Sequence, residues 1–303
     1  MKKLLLVDGN SLINRAFYAT SLKNGAVFGF VNMFMRAVEN TGATHVAVAF
    51  DMRAKTFRHK LSADYKANRK GMPDELATQF ADLKKLLAVM RVAMFEREGF
   101  EADDIIGTLS RVFGAVTGQK TGDNKEPLAV VILTGDRDAF QLIRDDVTVH
   151  LTKSAGTEIY DTGRIMTEYG VTPAQMIDVK CLMGDTSDNI KGVAGVGEKT
   201  ALKVIKQCGS VDKSPYANDP SVALSKVLAT IQCDIELGAE LDDLAWGLPL
   251  SREVFDAFKL RGFNSFLNRS TWWTKKSGTD AGNSGDATDG TKGTPPPTQL
   301  SFF

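Results

Sequence analysis

The sequence predicts an α/β fold, a parallel β-sheet covered by helices on both faces, followed by a mostly helical second half. Three observations predict it. Short continuous apolar runs alternate with helical patterns through the first half, as buried parallel strands and their crossovers do. Three of those runs end in aspartate, at Asp8, Asp51 and Asp136. From about Thr172 onward strand-like runs cease and Gly-rich turns separate helical stretches.

Taken in order, residues 3–8 read as a buried strand, as do 44–51 (THVAVAFD) and 128–136 (LAVVILTGD), with weaker strand candidates at 92–96 and 147–151. Helical patterns occupy 26–39, 74–90 and 102–113. The segment 208–228 contains Ser214-Pro215 and Asp219-Pro220, which disfavour one continuous helix. Residues 274–298 are rich in Gly, Ser, Thr and Asp and close on three prolines. Too little apolar surface is present there to offset ordering entropy, so a disordered linker is expected. The domain reading is therefore a catalytic unit over 1–171, a helical unit over 172–273, the linker over 274–298 and a short terminal motif over 299–303.

Composition excludes several classes. The chain has 303 residues, 43% of them hydrophobic, with 37 basic against 37 acidic side chains. That is the balance of an ordinary globular protein. No apolar run approaches the roughly 20 residues of a membrane span, and Asp8 interrupts the short apolar start before it can serve as a signal sequence. Three cysteines and three histidines are too scattered for a disulfide framework or a zinc site, which fits a reducing cytoplasm.

In open α/β sheets the carboxyl ends of the strands form the ligand-binding edge, so Asp8, Asp51 and Asp136 aim at one site. Asp138 lies just past the third strand. Glu101, Asp103 and Asp104 open a helix, where Glu101 and Asp104 share a face at spacing three. Asp185 and Asp188 lie further on, in GDTSDN. Nine acids on one edge repel one another unless cations intervene. Oxygen ligands suit Mg²⁺ or Mn²⁺, and a cluster this rich suggests two ions, the arrangement that activates water and stabilises the leaving oxygen in phosphodiester cleavage.

Between Met52 and Met72 lie Arg53, Lys55, Arg58, Lys60, Lys66, Arg69 and Lys70 against a single acid, Asp64. The zero net charge thus hides a cationic segment able to draw a phosphate backbone toward the acids. Tyr65, among these cations, suits stacking on a splayed base. Residues 192–200, GVAGVGEKT, imitate a P-loop but place Glu198 between Gly197 and Lys199 and lack a preceding strand. What remains is a tight turn opening a helix, whose Gly192, Gly195, Gly197, Lys199 and Thr200 can grip duplex backbone without reading bases.

The motifs LLLVDGNSLINRAFYA, VAFD, KTFR, YKANR, EADDIIGTL, ILTGDRDAFQL, LMGDTSDNIKGVAGVGEKTA and LATI together resemble the 5′–3′ exonuclease domain of bacterial DNA polymerase I, within the flap endonuclease superfamily. The resemblance implies a PIN-like parallel-sheet nuclease core with a helical arch, then a helix–three-turn–helix region. It implies cleavage of 5′ flaps and 5′ ends of branched or nicked duplexes and RNA primers with Mg²⁺ or Mn²⁺, in replication and repair. It makes all nine acids metal-binding and lets Lys66 and Arg69 reach the scissile phosphate. It has Tyr65 stack on the end nucleotide, Arg15 touch backbone near the cut, and residues 192–200 hold duplex and a K⁺ ion. The shortened 208–228 segment puts grip on long duplex arms in question.

The last five residues, Gln299, Leu300, Ser301, Phe302 and Phe303, resemble the short motif by which bacterial replication proteins bind the sliding clamp. A flexible linker of this length spans on the order of 25–30 Å, enough to tether a nuclease to a clamp. The expectation is thus a stand-alone, monomeric, cytoplasmic and nucleoid-associated structure-specific 5′ nuclease. Its rivals are a PIN-type ribonuclease and a non-catalytic branched-DNA binding protein.

Overall fold

The computed structural model describes residues 2–114 and 128–273. Its sheet has the order β3-β2-β1-β4-β5-β6. Strand β1 (Lys3–Asp8) lies between β2 (His45–Ala49) and β4 (Ala129–Thr134), parallel to both. Strand β3 (Ala93–Phe95) extends the sheet beyond β2, and β5 (Val147–Lys153) beyond β4, also in parallel. Strand β6 (Gly156–Tyr160) closes the other edge antiparallel to β5. Strand β6 shows no apolar run, because three of its five residues are exposed and only Tyr160 is buried. A hairpin with Gly156 at φ +130° makes the reversal.

The alternation within each strand sorts its side chains between two cores. Leu5 and Val7 face one core with Val46, Val48, Val131 and Leu133. Leu4 and Leu6 face the other with Ala47, Ala49, Val130 and Ile132. Helices α1 (Gly9–Ala19), α2 (Gly25–Thr41) and α4 (Asp74–Val89) cover the first face, and α5 (Ala102–Phe113) the second. Between α2 and α4 the expected arch contains a five-residue helix, α3 (Phe57–Leu61), followed by turns.

Helix α6 (Thr162–Tyr169) leads into the helical half, α7 (Gln175–Met183), α8 (Glu198–Cys208) and α9 (Pro220–Ala229). The proline pairs act as their positions imply. Helix α8 stops at Gly209, with φ +80°, and α9 restarts with Asp219 accepting from the Ser221 amide and Pro220 in its first turn. Val179, Leu182, Ala201 and Ile205 join the α5 core.

The expected helical unit over 172–273 divides. After residue 245 the chain crosses to the opposite face, where α10 (Arg252–Leu260) and α11 (Asn264–Leu267) put Phe258 and Phe266 into the α2 core beside Phe30 and Phe34. Large aromatic rings from both segments drive this return: Phe28 stacks on Phe266 at 4.6 Å, and the Trp272 indole donates to Glu39. The linker and terminal motif lie outside the described residues.

Candidate metal centre

Strands β1, β2 and β4 deliver their acids to one edge. Asp8 ends β1; its Oδ1 accepts from the Ser11 amide at 2.9 Å, capping α1, and its Oδ2 accepts from the Thr134 hydroxyl at 2.7 Å. Asp51 Oδ1 accepts from the Ala102 amide at 2.7 Å, at the start of α5, and Oδ2 from the Asn10 side chain at 2.9 Å. Asp136 Oδ1 accepts from the Asp138 amide at 2.9 Å and opens the short helical turn Arg137–Leu142. Burial pushes the Asp8 carboxyl up to about 7, with Asp51 and Asp136 adding repulsion against its two hydrogen bonds. Burial, then Asp8 and Asp136, holds Asp103 well above the carboxylate range. Burial raises Asp51 too.

A second group stands where the sheet meets the helical half. Oxygen atoms of Asp138, Asp185 and Asp188 lie within 4.8 Å of one another. Lys180, from α7, donates to Asp138 and, at 2.7 Å, to Asp185. Burial opposes ionisation of Asp185, yet Lys180 and the Ser187 hydroxyl and amide hold it down to about 2. Burial and Asp136 push Asp138 up to about 7 despite Lys180. Lys180 is missing from the sequence-predicted set, although a lysine inside the run MIDVKCLM just before Gly184-Asp185 was a usable signal.

Three expectations change. Asp104 does not face the edge. It is fully buried, paired through both oxygens with Arg58 at 2.8 Å and accepting from the Gln232 amide at 2.8 Å. Neighbours on a helix point about 100° apart, so Asp103 and Asp104 cannot both face one edge. Arg58, expected to bind DNA, is 2% exposed and also donates to the carbonyls of Leu228 and Thr230. The pair ties α3, α5 and the end of α9 together. Tyr65, expected to stack on a base, is equally buried. Its hydroxyl donates to Glu101 at 3.0 Å and sits 3.3 Å from Asp188.

Other predicted residues converge. Lys66 donates to Glu101 at 2.8 Å and lies 3.8 Å from Asp188, and Arg69 pairs with Asp188. Arg15 stands beside Gly135, its Nε buried without a hydrogen-bond partner. Arg53, Lys55 and Lys70 are exposed. In the glycine turn, Val193 and Val196 anchor the chain in the core while Gly195, Gly197, Lys199 and Thr200 face solvent. A side chain at Gly192 would stand 2.3 Å from the Gly184 amide nitrogen, so only glycine allows the two backbones to cross. A cleft of about 480 Å³ runs from Asp136 and Asp138 past Lys180 and Asp185 to Gly197 and Glu198, linking the acids to this turn.

Comparison with known proteins agrees with this architecture. Residues 3–170 match the 5′–3′ exonuclease N-terminal resolvase-like domain, and 171–251 match the 5′–3′ exonuclease C-terminal SAM fold. DNA polymerase I of Bacillus caldotenax is 39% identical over 88% of this chain, and that of Bacillus subtilis 38% over 88%. The chain covers about a third of each, 32% in both cases. Among solved structures, T5 5′-exonuclease with zinc ions bound shares the fold, with a TM-score of 0.62, 21% identity and coverage of 88% of this chain and 98% of that one. The catalytic core of Rad2 in complex with DNA substrate aligns with a TM-score of 0.58 and 16% identity over 88% and 92% of the two chains. With both domain models matched in order along most of its length, the chain belongs to the 5′–3′ exonuclease family.

Proposed function

We propose that this protein is a divalent-metal-dependent, structure-specific 5′–3′ exonuclease and 5′-flap endonuclease, acting on 5′ ends and flaps of DNA and on RNA primers in replication and repair. The observation that carries the reading is the Asp138–Asp185–Asp188 cluster, whose oxygen-only donors fit a hard cation, set beside the strand-end acids. Asp8, Asp51, Asp103 and Asp136 would hold one Mg²⁺ or Mn²⁺ ion, directly or through water, and Asp138, Asp185 and Asp188 a second. Such ions, when bound, supply Lewis acidity and an activated water. The relative T5 5′-exonuclease was solved with zinc ions, and Rad2 with DNA substrate.

The chain's own groups account for the rest. Lys66 and Arg69 already lie against Glu101 and Asp188, so a scissile phosphate entering there meets two cations. Arg15 offers an unpartnered Nε to backbone beside Gly135. The turn over 192–200 presents exposed backbone to a duplex arm, and its carbonyls would suit a K⁺ ion. Docking to a sliding clamp through Gln299, Leu300, Phe302 and Phe303, and action as a monomer, belong to the same proposal. No helix among the described residues is long and apolar enough to cross a membrane.

The test is cleavage of a labelled 5′-flap substrate, with single-strand, nicked-duplex and single-stranded RNA controls, in Mg²⁺ and in EDTA. Metal-dependent cuts near the flap junction are expected. Binding without cleavage in Mg²⁺ or Mn²⁺ would favour a scaffold protein, and preferential cutting of single-stranded RNA a PIN-type ribonuclease.

A further inference from the structure

Lys180 is a lysine in a place that should repel one. Its α7 neighbours Val179, Cys181 and Leu182 are core residues, and Lys180 itself is only 8% exposed. Burying an ammonium is costly unless it is paired and hydrogen-bonded. Here the compensation is complete in form, because Nζ bridges Asp138 and Asp185. Two of the three carboxylates in the 4.8 Å cluster are therefore joined by a cation the chain supplies. The third, Asp188, takes Arg69, whose side chain is half-exposed, with Lys66 3.8 Å away. The Lys180 side chain is far less exposed, at 10%, and is held between two carboxylates.

We propose that Lys180 is a positioning residue that holds Asp138 and Asp185 in place before any divalent ion arrives and thereby sets how weakly the Asp138–Asp185–Asp188 site binds that ion. Without the lysine, three carboxylates this close repel one another and splay. With it they stay converged, but an entering dication meets a fixed positive charge a few ångströms away. The site is kept ordered and deliberately loose. It takes its ion firmly only when further negative charge, such as a phosphate of the substrate backbone, joins it. This rests on the metal-dependent reading above.

The experiment is a Mn²⁺ titration of the full chain without nucleic acid, following free Mn²⁺ by its electron paramagnetic resonance signal. Wild type is expected to show a tighter and a weaker site. In Lys180→Met the weaker site should tighten at least tenfold, while Lys180→Arg, which keeps the charge, should stay near wild type. An unchanged or weakened site in Lys180→Met, or equal tightening in Lys180→Arg, overturns the inference. Lys180→Gln removes the charge but keeps a donor, and serves in its place where Lys180→Met does not fold. If wild type takes up no Mn²⁺, the metal-dependent reading itself falls, a result distinct from failure of the lysine's role.

Discussion

At the sheet edge, Asp8 and Asp51 are held by neutral donors: two backbone amides, a threonine hydroxyl and an asparagine amide. At the junction with the helical half, Asp138, Asp185 and Asp188 also meet cations, Lys180, Arg69 and Lys66, beside neutral donors from Ser187 and Tyr65. Neutral donors fix geometry and leave the charge unbalanced. Cations balance the charge but must yield or be shared when another cation enters. The edge group is thus short of counter-charge and the junction group is guarded by it. Removing an edge carboxylate should therefore damage chemistry most. Asp136→Asn is expected to lower single-turnover flap cleavage by roughly a thousandfold or more, the scale on which transition-state charge stabilisation is lost, with band-shift affinity for the flap in EDTA nearly unchanged. Near-normal cleavage would misplace the edge group.

A second contrast sits on adjacent residues. Asp103 faces the acids, whereas Asp104 is locked to Arg58. Arg58→Met should cost about 3–5 kcal/mol of stability, the scale for stranding one partner of a buried pair. Arg58→Met combined with Asp104→Leu should recover much of that loss and retain cleavage. Asp103→Asn should do the reverse, abolishing cleavage with little loss of stability. An inactive but stable double variant would return Asp104 to the metal centre.

These residues also mark how far the sequence could be read. Strand-end acids and apolar runs are local signals, so β1, β2, β4, α2, α4 and α5 lie close to where the pattern put them, and α5 agrees at both ends. The burial of Arg58 against Asp104 is not legible, because a charge run looks the same whether it faces solvent or folds beneath α5. Only the crossing of α3 and the end of α9 decides it. Tyr65 and the return of residues after 245 were hidden for the same reason, since each depends on a partner more than thirty residues away.

One acid from each group also predicts a pH effect. Asp8 and Asp138 carry folded-state values of about 7, above the ordinary range near 4 that they regain on unfolding. The folded protein therefore binds more protons than the unfolded chain between those values, and these groups make stability fall as pH rises from about 4 to about 7. In EDTA, the melting temperature should drop by several degrees between pH 5 and pH 8. Mg²⁺ should flatten that slope by replacing the missing protons as counter-charge. A slope that is flat in EDTA would mean the acids are balanced by the protein alone.

The smallest effect belongs to the glycine turn just beyond the far end of the cleft. Gly195 is exposed, has φ +77°, and a side chain there would meet nothing within 4 Å. Gly195→Ala adds no clash, so its cost is the left-handed backbone alone, about 1 kcal/mol. A turn that relaxes by that much moves the exposed amides of Gly195 and Gly197 relative to Lys199 and Thr200. Affinity for a long duplex arm should then fall a few-fold, while cleavage at saturating substrate stays near wild type. On the proposed reading the acids carry the chemistry and the turn the grip, and this substitution touches only the second. A drop in saturated turnover with affinity unchanged would show that the turn positions the acids through the Gly184–Gly192 crossing.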